Sequence, residues 1–192
     1  MNIRCLKPRM LLPVAFSLCL LTLFPAHGVR INFAAVLTPA TCELSLDKSS
    51  VYLGSVSLSA LSVGNVVALP QPFTLQVRQC DGVVGGDLKP MVRVTGEGFA
   101  ASGDNKWLFR SADSQAIGIG ILLTQGDTPP EYGQKEVKNG DYLSVGPANV
   151  VPVDTDLPLY VGVSCGSNTA CRSSAIKPGR LTARIIFDFT YR

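Results

Sequence analysis

Histidine is almost absent from this chain of 192 residues: the one copy is His27. Its scarcity removes the usual general base and the commonest metal ligand from nearly the whole sequence, and leaves the plentiful serines without their customary activating partner. No C-x₂-C pair of the zinc-holding kind occurs, and no stretch sustains a 3.6-residue apolar period. Acidic oxygens are too sparse in "GDNKW" and "GDTPPEYG" to make a calcium loop. Asp154 and Asp156 flank Thr155 just before Pro158 and read as a solvated turn rather than a catalytic pair. Gly118 and Gly120 in "IGIGILL" lack the strand-turn-helix setting of a phosphate cradle and fit a glycine-bearing strand. The expectation is a protein without catalytic residues, metal or cofactor.

Basic charge is concentrated at the start. Arg4, Lys7 and Arg9 precede the apolar run "MLLPVAFSLCLLTLF", and "PAHG" supplies the small-residue spacing Ala26-x-Gly28. This predicts a secretory signal peptide over residues 1–28, cleaved after Gly28. An uncleaved anchor fits less well because Pro13 interrupts the run, and lipidation of Cys19 is disfavoured by the large Leu18 before it. Removing Arg4, Lys7 and Arg9 brings the 17 basic residues level with the 14 acidic ones, so no basic excess remains to argue for nucleic acid. Residues 29–192 suffice for one domain with a real core.

Cys5 and Cys19 belong to the leader. Cys42, Cys80, Cys165 and Cys171 remain, an even set in an exported chain, which reads as two disulfides. Of the three pairings open to four cysteines, the favoured one joins Cys42 to Cys80 across two early strands and Cys165 to Cys171 around "CGSNTAC".

Short alternating runs punctuated by Gly, Pro, Asn and Asp recur throughout, an all-β pattern. Strands are expected over 30–37, 42–46, 50–56, 73–80, 89–96, 106–111, 116–124, 149–153, 157–165 and 180–191, with a short helical turn allowed within 99–115. Their spacing around two disulfides predicts an immunoglobulin-like β-sandwich. Both ends of this sequence carry notably regular runs. Val29, Ile31, Phe33, Ala35 and Leu37 share one face; at the other end Leu181, Ala183, Ile185, Phe187, Phe189 and Tyr191 alternate with more polar neighbours up to Arg192. An edge this apolar is an aggregation hazard unless something covers it.

The leader, "INFAAVLTPATC" running into Cys42, Cys80 at the end of a strand, "IGIGILL", and the terminal series Gly179, Ala183, Phe187, Phe189 and penultimate Tyr191 together resemble the chaperone-usher fimbrial subunits of Gram-negative bacteria, the type 1 and P pilus family, of minor or adaptor type. The resemblance runs from about residue 29 to 192. It implies an incomplete immunoglobulin-like sandwich that lacks its last strand and is completed by donor-strand complementation. Residues 29–41 would then be the N-terminal donor extension and 42–192 the pilin domain. Val29, Ile31, Phe33, Ala35 and Leu37 would be the donor residues. Leu181, Ala183, Ile185, Phe187, Phe189, Tyr191 and Arg192 would line the groove and meet the chaperone, with Tyr191 and Arg192 the foremost chaperone contacts. The implied partners are a periplasmic pilus chaperone, an outer-membrane usher and neighbouring pilin subunits; the implied route is export to the periplasm, then display in a cell-surface fimbrium that supports adhesion.

Two features depart from the family pattern. Ala35 stands where the donor strand usually has glycine, and the pair Cys165 and Cys171 is not general. The alternative reading is a single-domain, carbohydrate-binding minor pilin of adhesin type, with Trp107 and the Tyr132 to Tyr142 region offering rings to a host receptor. Against it, only residues 29–41 separate the expected cleavage point from Cys42, which leaves no room for a separate binding domain.

Overall fold

The alternation in "FTLQVRQC" builds the longest strand of the fold. In the computed structural model, which describes residues 40–192 apart from Ser173, β1 (Thr41–Leu46) pairs antiparallel with β2 (Ala68–Asp81). β2 turns Phe73, Leu75 and Val77 into the core. Their period of two is that of a strand with one buried face. The donor residues Val29, Ile31, Phe33, Ala35 and Leu37, like residues 1–28, lie outside the described residues.

The remaining strands are β3 (Pro90–Thr95), β4 (Gly98–Ala100), β5 (Trp107–Phe109), β6 (Gly120–Gln125), β7 (Tyr142–Ser144), β8 (Thr155–Ser164) and β9 (Ile186–Tyr191). Among the described residues helix is confined to two single turns, α1 (Leu58–Leu61) and α2 (Asn168–Cys171), capped by the hydroxyls of Ser57 and Ser167. The strands form two antiparallel sheets, one in the order β1-β2-β8-β6-β5-β4 and the other in the order β7-β3-β9. Leu157, Leu159, Val161 and Val163 of β8, with Ile121 and Leu123 of β6, face Val92 and Val94 of β3 and Leu143 of β7 across the core. Leu122 points the other way, into a smaller cluster with Ala101 and Leu108 beneath the β4–β5 hairpin. The molecule is thus all-β, a two-sheet sandwich of immunoglobulin-like type.

Two disulfides are formed: Cys42 to Cys80, between β1 and β2, and Cys165 to Cys171, around α2. Several expected strands are shorter or missing. Residues 50–56 carry none, although Val51 and Leu53 turn inward and Tyr52 outward; among the described residues they have no strand to pair with, and Gly54 breaks the extended path with a φ of 79°. Residues 149–153 are irregular from Asn149, whose φ is 64°. Residues 99–115 hold the β4–β5 hairpin, closed by a bond from the Asn105 N–H to the Ala101 carbonyl at 3.0 Å. The terminal strand begins at Ile186 rather than Arg180, for a reason taken up below.

Charged side chains pin the periphery. Arg78 bonds the carboxylate of Asp156 and lies 4.0 Å from that of Asp154, so the two acids meet a guanidinium. Lys106 binds Glu136 at 3.1 Å, with side-chain exposures of 14% and 11%. Burial works to raise the Glu136 carboxyl, but backbone hydrogen bonds and the Lys106 ammonium outweigh it and hold the carboxyl below the ordinary glutamate value of 4.5. A lowered folded value adds stability above the unfolded value, which is lost as pH falls through the folded one. Urea midpoints from pH 7 down to pH 3 should therefore fall more steeply in the wild type than in Glu136→Gln; parallel curves would show that the pair adds nothing.

Candidate functional site

β1 ends the six-stranded sheet and β9 ends the three-stranded one. Where the chain runs on from β1 and where it approaches β9, a groove of about 1080 Å³ opens that no strand among the described residues fills. One wall is the irregular segment from Leu46 to Leu58, which presents Val51, Leu53 and Val56. The other runs from Pro178 to Phe187 and presents Leu181, Ala183, Ile185 and Phe187. Phe73, Ile121, Val161 and Val163 form the floor.

The second wall is extended but is not a ladder strand over residues 180–185, because its neighbour offers serine hydroxyls in place of a regular main chain. Ser111 N–H donates to the Thr182 carbonyl at 2.8 Å, and Thr182 N–H and Arg184 N–H donate to the hydroxyls of Ser114 and Ser111, each at 3.0 Å. Both serines are buried. Gly179 permits the approach: a Cβ there would stand 2.9 Å from the Ala116 nitrogen, where Gln115 and Ala116 donate to the Arg180 carbonyl. Outside, Arg184 forks onto Asp113 at 3.0 and 2.8 Å, and that bond holds the Asp113 carboxyl below its usual value.

From Ile186 the chain joins β3, in a register from Thr95 opposite Ile186 to Pro90 opposite Tyr191. Phe187 leans on Phe73 with ring centroids 6.2 Å apart. Phe189 meets Tyr191 edge to face at 5.2 Å. Arg192 prolongs the ladder through mutual main-chain bonds with Lys89 at 2.7 and 3.0 Å, and its guanidinium lies 4.7 Å from the Tyr142 ring centre. Leu181, Ala183, Ile185 and Phe187 are thus brought together along the groove. Phe189 packs against the core, and Tyr191 and Arg192 stand beyond the groove lining.

The Tyr191 hydroxyl is buried with no hydrogen-bond partner among the described residues, and burial raises its pKa. An unpaired buried hydroxyl costs roughly 1–3 kcal/mol. Tyr191→Phe should therefore leave the domain as stable or stabilise it by up to about 1 kcal/mol in urea unfolding. A clear loss of stability would mean that the hydroxyl is bonded within the subunit.

The rings offered to a receptor are engaged internally. Trp107 lies over Gly98, where a Cβ would come within 2.9 Å of the indole, and meets Phe109 edge-on at 6.2 Å. The Tyr132 hydroxyl donates to Asp104 while Lys106 sits 5.4 Å from its ring centre; burial, then the Asp104 bond, push the hydroxyl pKa upward. Residues 162–166 match the G-x-S-x-G spacing of a serine nucleophile, but Ser164 is fully buried at the end of β8, where its hydroxyl accepts the Gly166 N–H at 3.2 Å. Among the described residues no group of three or more His, Cys, Asp or Glu is placed to hold a metal ion, and no helix is long and apolar enough to cross a membrane.

The gap between residues 46–58 and 178–187, which no strand among the described residues fills and which lies over an apolar floor, defines an incomplete immunoglobulin-like sandwich. A family model described as "Fimbrial protein" matches residues 31–192, and the chain belongs to that family. Among solved structures, the P pilus rod subunit PapA is 20% identical with a TM-score of 0.48, covering 79% of this chain and 99% of its own. A chaperone-usher pilus structure is 20% identical with a TM-score of 0.47, covering 88% and 98%. The CupB6 tip adhesin from Pseudomonas aeruginosa is 21% identical with a TM-score of 0.49, covering 72% of this chain and 34% of the adhesin. The curated proteins gave no match.

The walls contributed by residues 46–58 and the serine hooks Ser111 and Ser114 were not legible as site residues. For the first wall the available signal was Val51 and Leu53 alternating with Tyr52, a strand pattern lacking an evident partner.

Proposed function

We propose that this chain is a structural subunit of a bacterial surface fimbria, exported to the periplasm, held there by a pilus chaperone, and assembled at an outer-membrane usher by donor-strand exchange with neighbouring subunits. The observation that carries this reading is the groove between residues 46–58 and 178–187, whose second wall presents Leu181, Ala183, Ile185 and Phe187 at alternate positions. An added strand supplies two things there: main-chain bonds to an open sheet edge, and alternate side chains for the pockets below. The candidate donor is residues 29–41, with Ile31, Phe33 and Leu37 as anchors and Val29 and Ala35 on the same face. Each large apolar anchor gains roughly 1.5–3 kcal/mol on full burial. Tyr191 and Arg192, beyond the groove lining, fit the role of chaperone contacts.

Thermal unfolding of the exported chain, with and without a synthetic peptide of residues 29–41, tests this. Peptide at about 1,000 times its dissociation constant adds roughly 4 kcal/mol, which for a domain of this size raises the midpoint by about 8–16 °C. An unchanged midpoint at saturating peptide would defeat the proposal.

A further inference from the structure

The second disulfide closes a ring beside one end of the groove, and its contacts hold the end of the first wall. Cys165 follows directly on β8, and its sulfur lies 3.4 Å from the carbonyl oxygen of Leu61, the buried residue of α1 that lines the groove. The Asn65 N–H donates to the Gly166 carbonyl at 3.0 Å. Gly64, with a φ of 72°, fits so closely against the ring that a Cβ would stand 2.3 Å from the Asn168 Cα. The end of the first wall is therefore seated on the ring.

The second wall is held by other elements. Lys177 exchanges main-chain bonds with Ile117 at 3.0 and 3.1 Å, and Ile176 packs over Gly118. From Pro178 the chain forms the wall, bonded through Arg180 and Thr182 to Ser111, Ser114, Gln115 and Ala116. Leu61, placed by the ring, thus stands across the groove from Leu181, with Ala116 and Ile119 also lining it.

We infer that the Cys165–Cys171 ring holds the end of the first groove wall at its distance from the second, and so limits the size of the donor side chain that the end pocket admits. The inference rests on the strand-accepting reading of the groove. A covalent ring suits the task because a packed wall without it can open locally at low cost, whereas a closed loop removes those open states.

Two measurements on the exported chain test it, comparing wild type with Cys165→Ser/Cys171→Ser and with Gly64→Ala, which spoils the seat but keeps both disulfides. The first is amide hydrogen exchange. In both variants, amides at 58–65 should exchange at least about tenfold faster while those of β2 and β8 stay protected. Unchanged exchange at these positions, or equal acceleration throughout the sandwich, would overturn the inference.

The second uses synthetic 29–41 peptides in which Ile31, Phe33, Ala35 or Leu37 is enlarged in turn to Trp. In the wild type one of the four should bind at least about tenfold more weakly than the parent, and in the double variant that penalty should shrink to about threefold or less with the other three unchanged. Equal penalties in the two proteins would overturn the inference. If no peptide binds the wild type, the strand-accepting reading fails by itself, and the exchange rates still decide whether the ring holds the first wall.

Discussion

A chain deleted for residues 29–39 should build no polymer of its own, while its groove continues to accept a strand. Ile31, Phe33 and Leu37 together represent roughly 5–9 kcal/mol of transfer free energy if all three are buried in a neighbour's groove. Ordering the extension opposes this, and main-chain bonds to an open edge offset part of that cost. Removing the large anchors therefore removes the apolar part of the driving force. Losing even 5 kcal/mol weakens association by more than about three powers of ten.

The deletion leaves untouched every residue that lines the groove, from Leu46 to Phe187. Electron microscopy of cells expressing the deleted chain should show no fibres built from it, and the purified chain should still gain stability from added 29–41 peptide. Fibres that persist would sink the donor assignment. Absent fibres together with a lost peptide response would instead place residues 29–39 in the subunit's own fold. Phe33→Ala should fall between deletion and wild type, because it removes the largest anchor and retains the path of the strand.

The fold was legible where an alternating run has a partner on its flank. "FTLQVRQC" and "LPLYVGVSC" are neighbours in one sheet, and their apolar positions Phe73, Leu75, Val77, Leu159 and Val161 are core residues. The same pattern failed where the neighbour is not a strand. Residues 50–56 alternate, yet run beside the groove with nothing described to pair with, and residues 180–185 alternate but hang on Ser111 and Ser114. The short β4 and β7, three residues each, are too brief to show a period and exist because β5 and β3 give them edges.

Of the groove, composition disclosed only that the terminal run was too apolar to be left bare; the strand that would cover it came from the family resemblance. No local signal marked how the first wall meets the Cys165–Cys171 ring, since Leu61 and Cys165 are far apart in sequence and the contact arises only on folding.

The strongest test of the groove from within is Phe187→Ala. Phe187 lies opposite Val94 in the β3–β9 ladder, leans on Phe73 and lines the groove, yet remains only partly buried. Truncating a fully buried phenylalanine costs about 3–5 kcal/mol. In the open subunit part of that ring faces the groove, so the loss there should be smaller, about 1–2 kcal/mol. With the 29–41 peptide bound, the ring is sealed and the loss should approach the full range, so the variant should also bind peptide more weakly by about tenfold or more.

Ile186, its neighbour on the same strand, points outward with 57% exposure, and Ile186→Ala should change stability by no more than about 0.5 kcal/mol in either state. Urea unfolding of both variants with and without peptide separates the possibilities. A Phe187→Ala loss that is equal in the two states would mean that the peptide does not cover this ring, and that whatever it stabilises lies elsewhere than in the groove.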